Sequence, residues 1–169
     1  MFEVGEYIVH PGQGVCRVEG VEDVSTLSGT ATVYKLLPVG QRHAMHISYP
    51  VAQEARLRPV LSADEARELI ASYPSIELDD YTDRSAALEE EHFKSTIKHG
   101  SCLDSVRTAK TFRHRIRQVK ANNKKPPVAY ERILKEAHGR SMTELSVALG
   151  CTTDEVENLF EADVVQAEA

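Results

Sequence analysis

At 169 residues, 41% of them apolar, the chain has material for one ordinary domain or two small ones with separate cores. No stretch approaches the roughly 20 apolar residues of a membrane span, and the opening MFEVGEYIVH carries acids where a secretory leader carries bases, so a soluble cytoplasmic protein is expected. The net charge of −6 would argue against a nucleic-acid partner if it were evenly spread, and three widely spaced cysteines, Cys16, Cys102 and Cys151, form no CxxC pair of the kind metal sites use.

The first 60 residues read as short strands separated by turn chemistry. A run EYIVH ends at Pro11-Gly12-Gln13-Gly14, where glycines can supply the positive φ of a tight reversal. Then come VCRVEGVE, a Ser28-Gly29 break, TVYKLLPV, a Val39-Gly40-Gln41 break, AMHISYPV and a final short ARLRPVL. Five brief strands predict a small SH3- or Tudor-like five-stranded β-barrel over residues 1–61. An all-α helical domain is expected over 62–165, which makes the chain α+β with two domains.

The helical pattern opens at Ser62, an N-cap with Glu65 placed for a capping box, and runs to about Tyr73. Tyr73-Pro74-Ser75 breaks it, and the polar stretch over 74–80 reads as a hinge. Further helices are expected over 80–98, 102–121 and 128–138, the last closed by His138-Gly139, followed by a pair, MTELSVALG and TTDEVENLF, joined at Gly150-Cys151. The tail EADVVQAEA is expected to fray.

Charge concentrates on the middle of this region. Residues 94–125 hold 10 bases and 1 acid, against 6 and 12 over residues 1–80 and 3 and 9 over 126–169. Such a segment inside an acidic chain points to one anionic partner. On the 102–121 helix, Val106, Ala109, Phe112, Ile116 and Val119 form an apolar face, while Arg107, Lys110, Arg113, His114 and Arg117 share a sector of roughly 120°. Arg115 lies on the other flank, and Lys120, Lys124 and Lys125 carry the charge into the next loop. Together with Arg132 on the following helix, these bases are candidates to neutralise phosphates with weak sequence specificity. The closing TELSVALGCTTDEVENLF has helix-turn-helix length, but Asp154, Glu155 and Glu157 stand where base-reading side chains are needed, so it reads as a packing element. None of the seven histidines has HExxH-like spacing, and GxSxG and phosphate-cradling glycine loops are lacking. No enzyme activity, metal or cofactor is expected.

The N-terminal stretch FEVGEYIVHPGQGVCRVEGVE resembles the opening of the CarD/CdnL family of bacterial transcription regulators, through Phe2, Gly5, Ile8, Val9, His10, Pro11, Gly14 and Val18. A second match, MHISYPVAQEARLRPVLSADEARELI, is carried by Met45, Pro50, Val51, Leu57, Arg58, Pro59 and Val60. The C-terminal half is similar more loosely, through Tyr81-Thr82-Asp83-Arg84, Gly100 and SMTELSVALGCTTDEVENLF.

The resemblance implies a Tudor-like domain that binds the β subunit of RNA polymerase, similar to a module of transcription-repair coupling factor. It also implies a helical domain on promoter DNA at the upstream edge of the bubble, modulating open-complex stability. By alignment, the polymerase surface falls on Val24, Ser25, His46, Ile47, Ser48 and Pro50, where family arginines near Val24–Ser25 and at Ser48 have no basic counterpart. The family's minor-groove tryptophan is replaced by Tyr81, with Arg84 three residues on, and about five residues are inserted around Gln118–Asn123. A monomer, associated with the nucleoid through polymerase and with no membrane partner, is the expected state. The alternative is a protein–protein adaptor of the transcription machinery that does not touch DNA.

Overall fold

The computed structural model describes residues 1–168, without the side chains of 163–168. The chain forms two compact units, Met1–Val60 and Leu61–Ala169.

The first unit is an antiparallel sheet of β1 (Tyr7–His10), β2 (Gly14–Thr26), β3 (Gly29–Pro38), β4 (Ile47–Pro50) and β5 (Arg58–Pro59), in the order β4-β3-β2-β1-β5. Gly14, at φ +75, completes the reversal from β1 to β2, and the His10 ring accepts the Gly12 and Gln13 N–H groups across that turn at 3.0 and 3.1 Å. Ile8, Cys16, Val18, Tyr34, Leu36 and Leu57 form the core. The Tyr34 hydroxyl accepts the Phe2 N–H at 3.0 Å and donates to Glu54, and burial followed by the Glu54 carboxylate raises that phenol above its usual 10.0.

The expected barrel is not closed. β4 and β5 lie at opposite edges of the sheet, and β5 pairs only Arg58 and Pro59 with β1. Pro59 has no N–H with which to extend the ladder. A 3-10 segment, Val51–Arg56, joins the two edges, and Val51 and Leu57 at its ends pack on the core in place of strand pairing.

The helical unit comprises α1 (Ala63–Ser72), α2 (Ala86–His99), α3 (Cys102–Ala121), α4 (Val128–Leu149) and α5 (Thr153–Glu168). Capping boxes at Ser62–Glu65 and Ser101–Asp104 satisfy the first N–H groups of α1 and α3. Thr152 and Glu155 exchange the same pair of bonds at the start of α5. The residues expected to fray lie at the end of α5; Ala169 and the side chains from 163 onward are outside the described residues.

Two helix boundaries differ from the expectation. The helix predicted from residue 80 starts at Ala86, because the Asp79 and Asp83 side chains accept the Tyr81 and Ser85 N–H groups, each at 2.9 Å, and hold 79–85 in turns. Conversely, His138-Gly139 does not end a helix: α4 continues to Leu149 and stops at Gly150, which is left-handed at φ +65. Burial of Ala137, Ser141, Met142 and Leu145 on either side of Gly139 outweighs the roughly 1 kcal/mol that a mid-helix glycine costs. The predicted hinge, 74–80, is fastened to α3. Ile76 is buried in the core, and the Asp79 N–H donates to Thr111 at 2.9 Å.

Two clusters fill the unit: Leu69, Ile70, Val106, Met142, Leu145 and Val156 in one, and Phe93, Ile97, Ala109, Phe112, Ile133 and Ala137 in the other. Among the described residues no helix is long and apolar enough to cross a membrane.

Candidate interaction surfaces

In the sheet unit, β4 is an edge strand, paired only with β3. Ile47 is half-buried against the core, Ser48 is exposed, Pro50 ends the strand, and His46 precedes it in solvent. Val24 and Ser25 pair with Ala31 and Thr30 on the far arm of the β2–β3 hairpin, beyond the Val33–Pro50 pair that ends β4. The six positions therefore flank β3 from both sides, and only Ile47, Ser48 and Pro50 lie on the open edge.

The register also supplies a base that alignment of the linear sequence missed. Lys35 stands directly across from Ser48, so its side chain shares that face of the sheet. Only the pairing of β3 with β4 reveals it.

In the helical unit, the basic residues divide into two sets. Lys110 Nζ donates to the carbonyls of Tyr73 and Ile76 at 2.8 and 2.7 Å, and burial pulls its ammonium below the ordinary lysine range. Arg113 bonds the Tyr73 hydroxyl at 3.2 Å and the His138 ring at 2.6 Å. Arg115 pairs with Glu89 at 2.9 Å, donates to the Asp79 and Tyr81 carbonyls at 3.2 and 2.7 Å, and lies over the Phe93 and Phe112 rings. Arg132 is bidentate on Glu90, and Arg107 leans on Asp104 at 3.6 Å.

The second set comprises Arg84, Arg117, Lys120, Lys124 and Lys125. These side chains are exposed, and among the described residues none makes an ion pair or hydrogen bond. Because Gly100-Ser101 turns the chain from α2 back along α3, the start of α2 lies at the end of α3, where α4 also begins. A pocket of about 150 Å³ lined by Arg84, Ala86, Pro127 and Ala129 lies between the starts of α2 and α4. Bases at a helix C-terminus also complement its dipole.

Tyr81, expected within a helix that opens at residue 80, lies outside it. It is half-buried in the turn before α2, stacked on His92 at 3.6 Å and edge-on to Phe93 at 5.9 Å, with its hydroxyl on Asp83 at 3.2 Å. Desolvation, then Asp83, raises this phenol above 10.0. In α5, Val156 is buried and Phe160 meets Tyr73 edge-on, so that helix packs against the unit through its apolar side.

The chain is thus an α+β protein of two parts, an open five-stranded antiparallel sheet with β4 and β5 at its edges, followed by a helical unit. Residues 2–61 match the family model of the CarD-like/TRCF RID domain. The first unit is thus a domain of that type, consistent with a CarD-like family protein, and it suggests RNA polymerase as a partner. No curated protein matches the chain.

Proposed function

We propose that the protein is a non-enzymatic adaptor of transcription: the β4 edge holds the RNA polymerase β subunit, the basic end of α3 holds promoter DNA at the upstream edge of the bubble, and the two together modulate open-complex stability. The observation that carries this reading is the RID-type domain over residues 2–61 on a chain whose unengaged bases gather at one helix end. Pairing at an edge strand rests on main-chain groups and depends little on side-chain identity. This accommodates the absence of arginine at Ser48, with Lys35 placing positive charge beside it. Arg117, Lys120, Lys124 and Lys125 neutralise phosphates and read no bases, so sequence specificity is weak. Tyr81 would reach a base step only by leaving its stack on His92, and phosphate positioning is the role assigned to this unit. The site of action is the cytoplasm, at the nucleoid through polymerase.

Titration of the full-length protein against the isolated β subunit is expected to give saturable binding at about tens of micromolar or tighter; no binding in that range overturns the reading. A protein–protein adaptor without DNA contact is the second reading, favoured by the internal engagement of Lys110, Arg113, Arg115 and Arg132. Absence of salt-dependent binding to promoter duplexes would select it.

A further inference from the structure

We propose that the helical unit binds a small monocarboxylate with an apolar body, of the medium-chain fatty-acid kind, in an open cavity lined by the turn after α1 and by α3, α4 and α5. The inference is independent of the nucleic-acid reading. The cavity measures about 490 Å³, within the roughly 300–1,000 Å³ of small-molecule pockets. Val106 and Ala109 of α3, Met142 of α4 and the Tyr73 and Phe160 rings give it an apolar lining.

Among the described residues three charged groups line it: the half-buried Arg113, Glu157, which His138 engages, and the exposed Glu161. Arg113 is half-buried, and its two hydrogen-bond partners are a phenol and an imidazole. A guanidinium can only donate, so His138 Nδ1 accepts from it and the ring proton resides on Nε2, which meets Glu157 at 2.7 Å. Toward Arg113, His138 therefore acts as a neutral acceptor. Among the described residues no carboxylate reaches Arg113, so its charge is left for an anionic head entering the cavity, where a charge-assisted hydrogen bond is stronger than in water. The Tyr73 hydroxyl accepts from Arg113 and keeps its own proton to donate to the same head.

The wall also carries the selectivity. Glu157 and Glu161 line the cavity alongside Arg113, so a doubly charged phosphate ester would meet two carboxylates for one cation. With Glu157 engaged by His138 and Glu161 exposed to solvent, a single negative charge meets less repulsion on its way to Arg113, and its apolar chain fills the space between Val106, Met142 and Phe160. An ammonium head on the same chain would find only Glu157, already engaged by His138, and the solvent-exposed Glu161 as partners, and at the half-buried end it would meet the guanidinium.

The test is titration of the full-length protein with decanoate, and with decylamine as control, both below their micellar range, followed by calorimetry and by methyl NMR of the three methionines. Decanoate is expected to bind at one site and to shift the Met142 methyl but not those of Met1 and Met45, while decylamine binds at least about tenfold more weakly. Arg113→Gln should raise the decanoate Kd about tenfold or more, as loss of a charge-assisted contact implies. Glu161→Gln, on an exposed side chain whose loss should leave the fold intact, should tighten binding about two- to threefold by removing one repelling charge. An unmoved Met142 methyl, equal binding of amine and acid, an Arg113→Gln Kd equal to the parent's, or a Glu161→Gln Kd that is unchanged or weaker would each overturn the proposal. The Glu161 variant keeps it falsifiable if Arg113→Gln does not fold.

Discussion

Along α3, Lys110, Arg113 and Arg115 direct their charges into the helical unit, onto backbone carbonyls, a phenol, an imidazole and one carboxylate. Arg117, Lys120 and the Lys124–Lys125 pair just beyond the helix leave theirs in solvent. The difference arises from what each stretch packs against. Beside Lys110 and Arg115 run the turn after α1 and the segment before α2, whose irregular backbone offers carbonyls that no helix satisfies; among the described residues the bases beyond Ile116 bond no such carbonyl. Like residues thus serve as internal fasteners at one end and as an electrostatic surface at the other.

The sharpest way to break the comparison is Arg115→Ala. Arg115 and Glu89 are 14% and 13% exposed, and removal of one partner of such a pair typically costs about 3–5 kcal/mol. Urea denaturation should show a loss of about that size, while the duplex affinity of the folded fraction stays at the parent value. A loss below about 1 kcal/mol would mean that Arg115 does not fasten the fold.

The reverse result is expected at the other end. Arg117→Ala, Lys120→Ala and Lys124→Ala combined should lower the slope of log affinity against log salt by up to about three, roughly one per lost phosphate contact. Stability should change by less than about 0.5 kcal/mol per exposed site. Lys110→Met should instead destabilise the fold and leave the slope alone. If the two variants exchange these effects, the division of α3 is wrong.

The sequence showed α3 itself clearly: it spans Cys102–Ala121, and of its expected apolar face Val106, Ala109, Phe112 and Ile116 are buried while Val119 is partly exposed. The division of its bases was not legible, because Lys110 meets carbonyls some 34 to 37 residues away in sequence and helical phase alone cannot show what lies across from a side chain. Local chemistry also misled at two boundaries. Gly139 resembles a helix stop until the buried residues on both sides of it are known, and the helix expected from residue 80 opens only at Ala86 because Asp79 and Asp83 close turns before it. In the sheet unit the strands were readable from their turns, but the open edge and the Lys35–Ser48 pairing depend on register, which appears only when β3 and β4 are laid side by side.

Tyr81 gives an intermediate effect and tests whether the turn before α2 belongs with the fasteners. Its ring contacts with His92 and Phe93 are each worth about 0.5–1.5 kcal/mol beyond the area they bury, so Tyr81→Ala should cost about 2 kcal/mol. With protein in saturating excess, the lifetime of the open promoter complex should be unchanged. A shorter lifetime without loss of stability would place the ring on DNA and assign the turn to the interaction surface.

The smallest effect is expected at Arg132, exposed yet paired, which stands between the two sets. It donates to both oxygens of Glu90 at 3.1 and 3.2 Å, and this contact, more than that of Lys94, holds the Glu90 carboxyl below its ordinary 4.5. A carboxyl whose folded pKa is depressed contributes stability that is complete above the unfolded value and lost as pH falls through the folded one. The stability gap between the parent and Arg132→Gln should therefore be widest near neutral pH and close as the solution is taken below about pH 4, since a protonated Glu90 no longer distinguishes the two side chains. Denaturation at neutral pH and at about pH 3 measures both ends of that window. A gap that persists unchanged in acid would mean that Arg132 acts through its aliphatic stem, whereas no gap at any pH would leave the guanidinium available to the same phosphates as Lys124 and Lys125.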